Sequence, residues 1–233
     1  MLSTVCSLAF SIAVRFQCVL SESARGLAYF KTWSIMAYLL CVTGCSPGQA
    51  DGSKTPGGNQ IQITPASPLH LLDLAGQEID PFASSDAKWL VFIFVSVDCP
   101  ISNRYAPEIR RLHTKFGDKG VKFWLVYPNA DESSEDIAKH IKEYQYECGI
   151  LRDPKHRLVK AAKVRVTPEA ALFEHTGGML YRGRIDNRVA DFGRERPAPT
   201  ERNLEDALEA ALAGKPVPHA ITKAVGCYIP KEP

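Results

Sequence analysis

The stretch "DCPISNRYAPEI", residues 98–109, brings Cys99 to what reads as the first turn of a helix, directly behind the apolar run "WLVFIFVSV". A thiol there faces backbone N–H groups without helical partners and the positive end of the helix dipole. Both favour thiolate over thiol, which lowers the pKa and makes the sulfur a nucleophile and a redox centre. Pro100 suits the first helical position, where a missing N–H leaves no bond unmade. Asp98 works in the other direction, because an adjacent carboxylate disfavours a second negative charge. On these residues alone, a reactive thiol and a buried structural cysteine both stay open.

Other chemistry is less well supported by the pattern. The seven cysteines form no C-x-x-C pair, and His113, His140, His156, His175 and His219 fall on different predicted elements. No metal site and no cofactor are expected, and each histidine reads as a surface or internally satisfied residue. Arg165 could approach the thiolate, but a surface role fits it as well. "RERPAPTER" and "LRDPKHR" read as charged turns, and Tyr105 as a packing residue at helical spacing.

The elements that must position Cys99 follow from periodicity. Residues 89–97 are nearly all apolar, β-branched or aromatic, the mark of a strand buried on both faces, and "VKFWLVYP" (121–128) is a second. Apolar residues at 101, 105, 109, 112 and 116 predict a helix that stops at Gly117 or Gly120. "ESSEDIAKHIKEYQ" carries serines and acids at its start and lysines later, as a helix dipole prefers. "ILRDPKHRLVKAAKV" predicts a short strand, a turn at Asp153-Pro154 and a helix. "EAALFEHTGGMLYRGRID" predicts an antiparallel strand pair turning at Gly177-Gly178. "TERNLEDALEAALAGKP" predicts an amphipathic helix capped by Thr200 and stopped by Gly214. Together these imply an α/β fold with a central mixed β-sheet flanked by α-helices.

The chain has 233 residues, 45% hydrophobic and 23% charged, with a net charge of +2. That balance argues against nucleic acid as a partner. Residues 30–48, "FKTWSIMAYLLCVTGCSPG", combine a basic flank with an apolar run too short to span a bilayer comfortably. The run ends in "VTGC" and resembles a bacterial lipoprotein processing site, with Cys45 as the lipidated residue. A plain membrane anchor or an ordinary secretory signal are the other readings. Residues 1–44 are thus read as leader, 45–62 as a flexible Gly-, Pro- and Ser-rich tether, and 63–233 as the folded domain. The expected location is extracytoplasmic, anchored to a membrane through lipid.

"CPISNRYAP" and "KVRVTPEAALFE" together resemble the thioredoxin superfamily, in its redoxin and peroxiredoxin-like (AhpC/TSA-like) extracytoplasmic branch. In that family a strand delivers Cys-x-x-Cys to a helix start, an Ala-Pro pair kinks the helix, and a cis-proline faces the site. The resemblance puts Cys99 at the first cysteine, Ser102 at the second, Ala106-Pro107 at the kink, and Thr167-Pro168 opposite Cys99. It covers about residues 65–213 and implies a thioredoxin-like fold. Pro100, Thr167 and Pro168 would then shape a substrate groove, and Ser102 could donate a hydrogen bond to the thiolate. With serine at 102 the motif cannot close a disulfide on itself. The peroxiredoxin pattern of Pro and Thr/Ser seven and three places before the cysteine is half met, by Phe92 and Ser96. The copper-chaperone pattern of a second cysteine four places on meets Asn103.

The tail "AITKAVGCYIPKEP" resembles that of a little-characterised bacterial peroxiredoxin-like group, which implies that Cys227 folds back on Cys99 as its resolving partner. Pairing with Cys148, or no pairing, are the alternatives. The function so implied is a thiol–disulfide oxidoreductase or a thiol peroxidase, acting on a protein disulfide or a small peroxide. The alternative is a non-catalytic thioredoxin-fold module that holds a partner protein or a metal ion in the cell envelope.

Overall fold

The computed structural model describes residues 68–83 and 86–232. The leader, Cys45 and the 45–62 tether lie outside the described residues. Among the described residues no helix is long and apolar enough to cross a membrane.

The sheet is built around β3 (Trp89–Phe94), in which every residue is buried. Alternation along it sends Trp89, Val91 and Ile93 into one core and Leu90, Phe92 and Phe94 into the other. β4 (Val121–Tyr127) runs parallel to β3, and β5 (Gly149–Arg152) parallel to β4. On the other side β7 (Glu169–Glu174) is antiparallel to β3, and β8 (Met179–Gly183) antiparallel to β7. Two short strands, β1 (Leu71–Leu72) and β2 (Glu78–Ile79), complete the order β2-β1-β5-β4-β3-β7-β8.

Helices cover both faces. α2 (Ala106–Phe116), α3 (Ser134–Glu143) and α5 (Asn203–Leu212) bury Ile109, Leu112, Phe116, Ile137, Leu204 and Leu208 in the first core. α4 (Arg157–Ala162) buries Leu158 and Ala162 in the second. This is the mixed sheet between helices that the sequence predicts. Ser133 caps α3 by accepting the Asp136 N–H at 3.1 Å. The Gly177-Gly178 turn joins β7 and β8, with Gly177 at φ +94°.

Several local features differ from the sequence expectations. The single helix that periodicity predicts across 101–116 is two, α1 (Pro100–Arg104) and α2, divided at Tyr105, next to the Ala106-Pro107 kink that the resemblance implies. Pro107 has no N–H to offer the Asn103 carbonyl, so the helical ladder breaks where the Ala-Pro pair begins. Thr200 does not cap α5. The cap position is Arg202, and the Thr200 hydroxyl instead accepts from the Asn187 side chain at 2.8 Å. Part of the charged "RERPAPTER" stretch is a strand: β10 (Arg194–Glu195) pairs with β9 (Val189–Asp191). The tail also forms a strand, β11 (Cys227–Tyr228), antiparallel to β6 (Val166–Thr167).

Candidate active site

Cys99 stands at the N-cap of α1, held between the end of β3 and the helix. Its Sγ accepts the Ser102 N–H at 3.4 Å, and its thiol lies 3.0 Å from the Thr167 carbonyl. The Thr167–Pro168 peptide is cis, and the Thr167 carbonyl is the part of it that meets Cys99. Cys99 is 2% exposed, whereas Pro100 beside it lies at the surface.

The tail reaches the same point. Pairing of β11 with β6 sets Cys227 opposite Thr167 and brings the two Sγ atoms to 2.7 Å. Both are free thiols in this arrangement. The approach needs Gly226, where a Cβ would lie 2.7 Å from the Thr167 carbonyl carbon and nearer still to its oxygen. Beyond Cys227 the Ile229 N–H donates to the Arg165 carbonyl at 3.0 Å. Cys148 is not a partner of Cys99. It is buried near Tyr127 and Tyr146, and burial pushes its thiol up to about 12.

The two facing sulfurs are electrostatically unequal. Burial raises the Cys99 pKa, but hydrogen bonds from the Cys227 thiol, from the Ser102 hydroxyl and backbone, and from the Thr167 side chain outweigh it. The net effect holds Cys99 below the ordinary thiol value. Cys227 goes the other way: burial and the negative charge of Cys99 push it up to about 12. When one proton leaves the pair, Cys99 gives it up and Cys227 keeps its own and donates it across the gap. Ser102 is fully buried, and its hydroxyl has no other hydrogen-bond partner, which leaves its proton for the thiolate. Asp98 and Arg165 are both exposed and neither is among the groups that shift Cys99. The activation is thus dipolar rather than ionic.

Ser96 does not face the thiol. Its hydroxyl donates to Glu132 at 2.6 Å, and the Val97 N–H donates to the same carboxylate at 2.9 Å. Glu132, 6% exposed and with its pKa raised by burial, therefore pins the loop between β3 and α1. A second tie runs through Asn103, whose amide N–H donates to the Val97 carbonyl at 3.1 Å. Its oxygen meets His140 Nε2 at 2.8 Å, and His140 Nδ1 meets the Tyr127 hydroxyl at 2.8 Å. His140 is thus an internally satisfied histidine, with its pKa lowered by burial. Tyr105 packs as expected and also donates to Asp186 at 2.7 Å, fastening the segment before β9 to the kink. Among the described residues no group of three or more Cys, His, Asp or Glu side chains is arranged to hold a metal ion.

Sequence reasoning missed Glu132, which it read only as part of an acidic helix start. It also missed Gly226, although a glycine directly before the tail cysteine was a signal of close backbone approach.

No curated protein matches the chain. Among solved structures, an uncharacterized conserved protein from Geobacillus kaustophilus is 25% identical, with 72% of this chain and 90% of that one covered and a TM-score of 0.62. A hypothetical protein from Sinorhizobium meliloti 1021 is 23% identical over 70% of this chain and 91% of its own, with a TM-score of 0.60. The model of the AhpC/TSA family matches residues 64–183, which is just over half of the sequence and contains the Cys99 helix, the cis-proline and the whole central sheet. With its thioredoxin-like architecture, the chain belongs to the AhpC/TSA family.

Proposed function

We propose that this protein is a thiol–disulfide oxidoreductase whose working pair is Cys99 and Cys227. Thiol redox chemistry comes with the family. The observation that carries the finer reading is the pair itself, two thiols 2.7 Å apart with opposite pKa shifts. The reaction follows from that asymmetry. The Cys99 thiolate attacks one sulfur of a substrate disulfide, a Cys99–substrate bond forms, and the other substrate sulfur leaves as thiolate. Cys227 then loses its proton to that departing thiolate and attacks Cys99. The mixed disulfide breaks, and a second substrate thiolate leaves, to be protonated by water. Two electrons and two protons pass to the substrate, and the Cys99–Cys227 disulfide remains.

A disulfide fits the site better than a peroxide. The Ser96 hydroxyl, half of the peroxide pattern, is committed to Glu132. Phe92, at the other half, points into the core on the far side of the sheet from Cys99. The Thr167 carbonyl meets the thiol, and Pro100, Thr167 and Pro168 are the proposed groove. Anchoring through a lipid on Cys45 would put the chemistry outside the cytoplasm, and labelling with a fatty-acid analogue that survives Cys45→Ala would refute that part.

The test of the reaction uses a chromogenic aryl disulfide and counts thiols released. Wild-type protein should release two per chain, Cys227→Ser one with a trapped mixed disulfide on Cys99, and Cys99→Ser almost none. Full release by Cys99→Ser would overturn the assignment.

A further inference from the structure

Residues 220–232 are also tied down at a second place, beside β8. The Arg182 N–H donates to the Ala220 carbonyl at 2.9 Å and the Thr222 N–H to the Arg182 carbonyl at 3.0 Å, so the tail adds a short parallel bridge beside β8. The Thr222 side chain closes a ring of three hydrogen bonds there. Tyr181 has one hydroxyl proton, which goes to the Arg184 carbonyl at 2.6 Å. The Thr222 hydroxyl therefore donates to the Tyr181 oxygen at 2.6 Å and accepts the Arg184 N–H at 3.1 Å. Gly183 makes room for it: φ is +149°, and a Cβ would come within 3 Å of Thr222 side-chain and carbonyl atoms alike. The tail is open to solvent on its other side, with Ile221 51% and Tyr228 80% exposed.

We propose that Thr222 is a positioning residue for Cys227: it seats on Gly183 and Tyr181 and thereby sets the effective concentration of Cys227 at Cys99. The proposal rests on the redox pairing above. Val225 and Cys227 are only partly buried, so little apolar packing holds the tail strand in place. The five-residue span from Thr222 to Gly226 is too short to wander once its first residue is fixed. Without the side-chain clamp, Cys227 is held by the two-residue β11–β6 pairing and a few backbone bonds alone, and its effective concentration at Cys99 falls.

Each side-chain hydrogen bond lost is worth about fivefold in an equilibrium, so removing the Thr222 hydroxyl should cut effective concentration by about tenfold or more. The experiment equilibrates the full chain with glutathione and its disulfide. One glutathione disulfide is consumed and two glutathiones appear for each Cys99–Cys227 bond formed. Thr222→Val should need about tenfold more glutathione disulfide for half-oxidation, and its reduced form should show a higher Cys99 pKa by iodoacetamide kinetics. Thr222→Ser, which keeps the hydroxyl, should restore both. A folded Thr222→Val protein with unchanged oxidation midpoint and Cys99 pKa would overturn the proposal.

Trypsin cleavage after the exposed Lys223 of the reduced protein gives a readout independent of redox. Faster cleavage in Thr222→Val supports the clamp and an equal rate refutes it, even if wild-type protein never forms the disulfide. That last result would sink the redox pairing alone.

Discussion

Replacing Gly226 with valine puts the account under its most informative strain. A Cβ at 226 lies 2.7 Å from the Thr167 carbonyl carbon, whereas unstrained carbon contacts are about 3.5–4.0 Å. β11 must therefore move away from β6 by about 1 Å or let go altogether. A disulfide needs the sulfurs at about 2.05 Å, and they stand 2.7 Å apart at rest, so an outward shift of that size removes the pair from bonding reach. Losing one or two strand bonds at about 1 kcal/mol each lowers the docked fraction by roughly tenfold. The reduced Cys99 also loses the hydrogen bond from Cys227, the strongest of those that lower its pKa. The assay is the rate of iodoacetamide alkylation of reduced Cys99 against pH. The wild-type midpoint should lie below that of an ordinary free thiol, because the thiolate persists above the depressed pKa and is lost as pH falls through it. In Gly226→Val the midpoint should move up, while the thermal unfolding midpoint changes little because the tail adds few buried groups to either core. An unmoved alkylation midpoint with an intact Cys99–Cys227 disulfide would refute the reasoning.

Ser102→Ala removes the buried hydroxyl whose hydrogen bond helps to lower the Cys99 pKa. Alkylation of reduced Cys99 near pH 7 should slow by about three- to tenfold, with an unchanged rate counting against a role for that hydroxyl. Cys148→Ser should leave disulfide formation untouched, since Cys148 is buried with its pKa pushed up to about 12; loss of the disulfide in quantitative thiol counts would contradict the pairing. Glu205 supplies a pH prediction. Burial raises its pKa, but hydrogen bonds from Arg111 and Lys115 outweigh it and hold it at about 2. A depressed carboxylate stabilises the fold above its unfolded value, near 4.5, and that contribution drains away as pH falls towards 2. Denaturant unfolding should show wild-type protein losing about 3 kcal/mol more than Glu205→Gln between pH 5 and 2, and parallel losses would contradict it.

What the sequence disclosed, and what it hid, follows from where each signal is stored. β3 and β4 were legible because strands buried on both faces are nearly continuous apolar runs, and α3 because its cap and its charges sit within a few residues of one another. The Cys99 site was legible for the same reason: the cysteine, Pro100 and the Ala106-Pro107 kink are local. Thr167 and Pro168 needed a family pattern, since nothing in the residues between Cys99 and Thr167, 68 positions apart, says that they return to Cys99. The loop tie to Glu132 was hidden because it joins residues 35 and 36 positions apart through one carboxylate. Thr200 misled because a threonine ahead of an acidic turn is a good cap by composition, and only the fold puts Asn187 within its reach. β11 and the Thr222 seat were hidden most deeply. Two-residue pairings have no periodicity, and the space for the Thr222 seat is left by Gly183, distant in sequence.

The central claim is that Cys99 and Cys227 are one redox pair, and peptide mapping of the full chain without reductant tests it most directly. After oxidation by one equivalent of glutathione disulfide, the account predicts a single linked peptide pair joining Cys99 to Cys227, with Cys148 still a free thiol. Cys99 linked to Cys148, or Cys99 and Cys227 both recovered free, would contradict it.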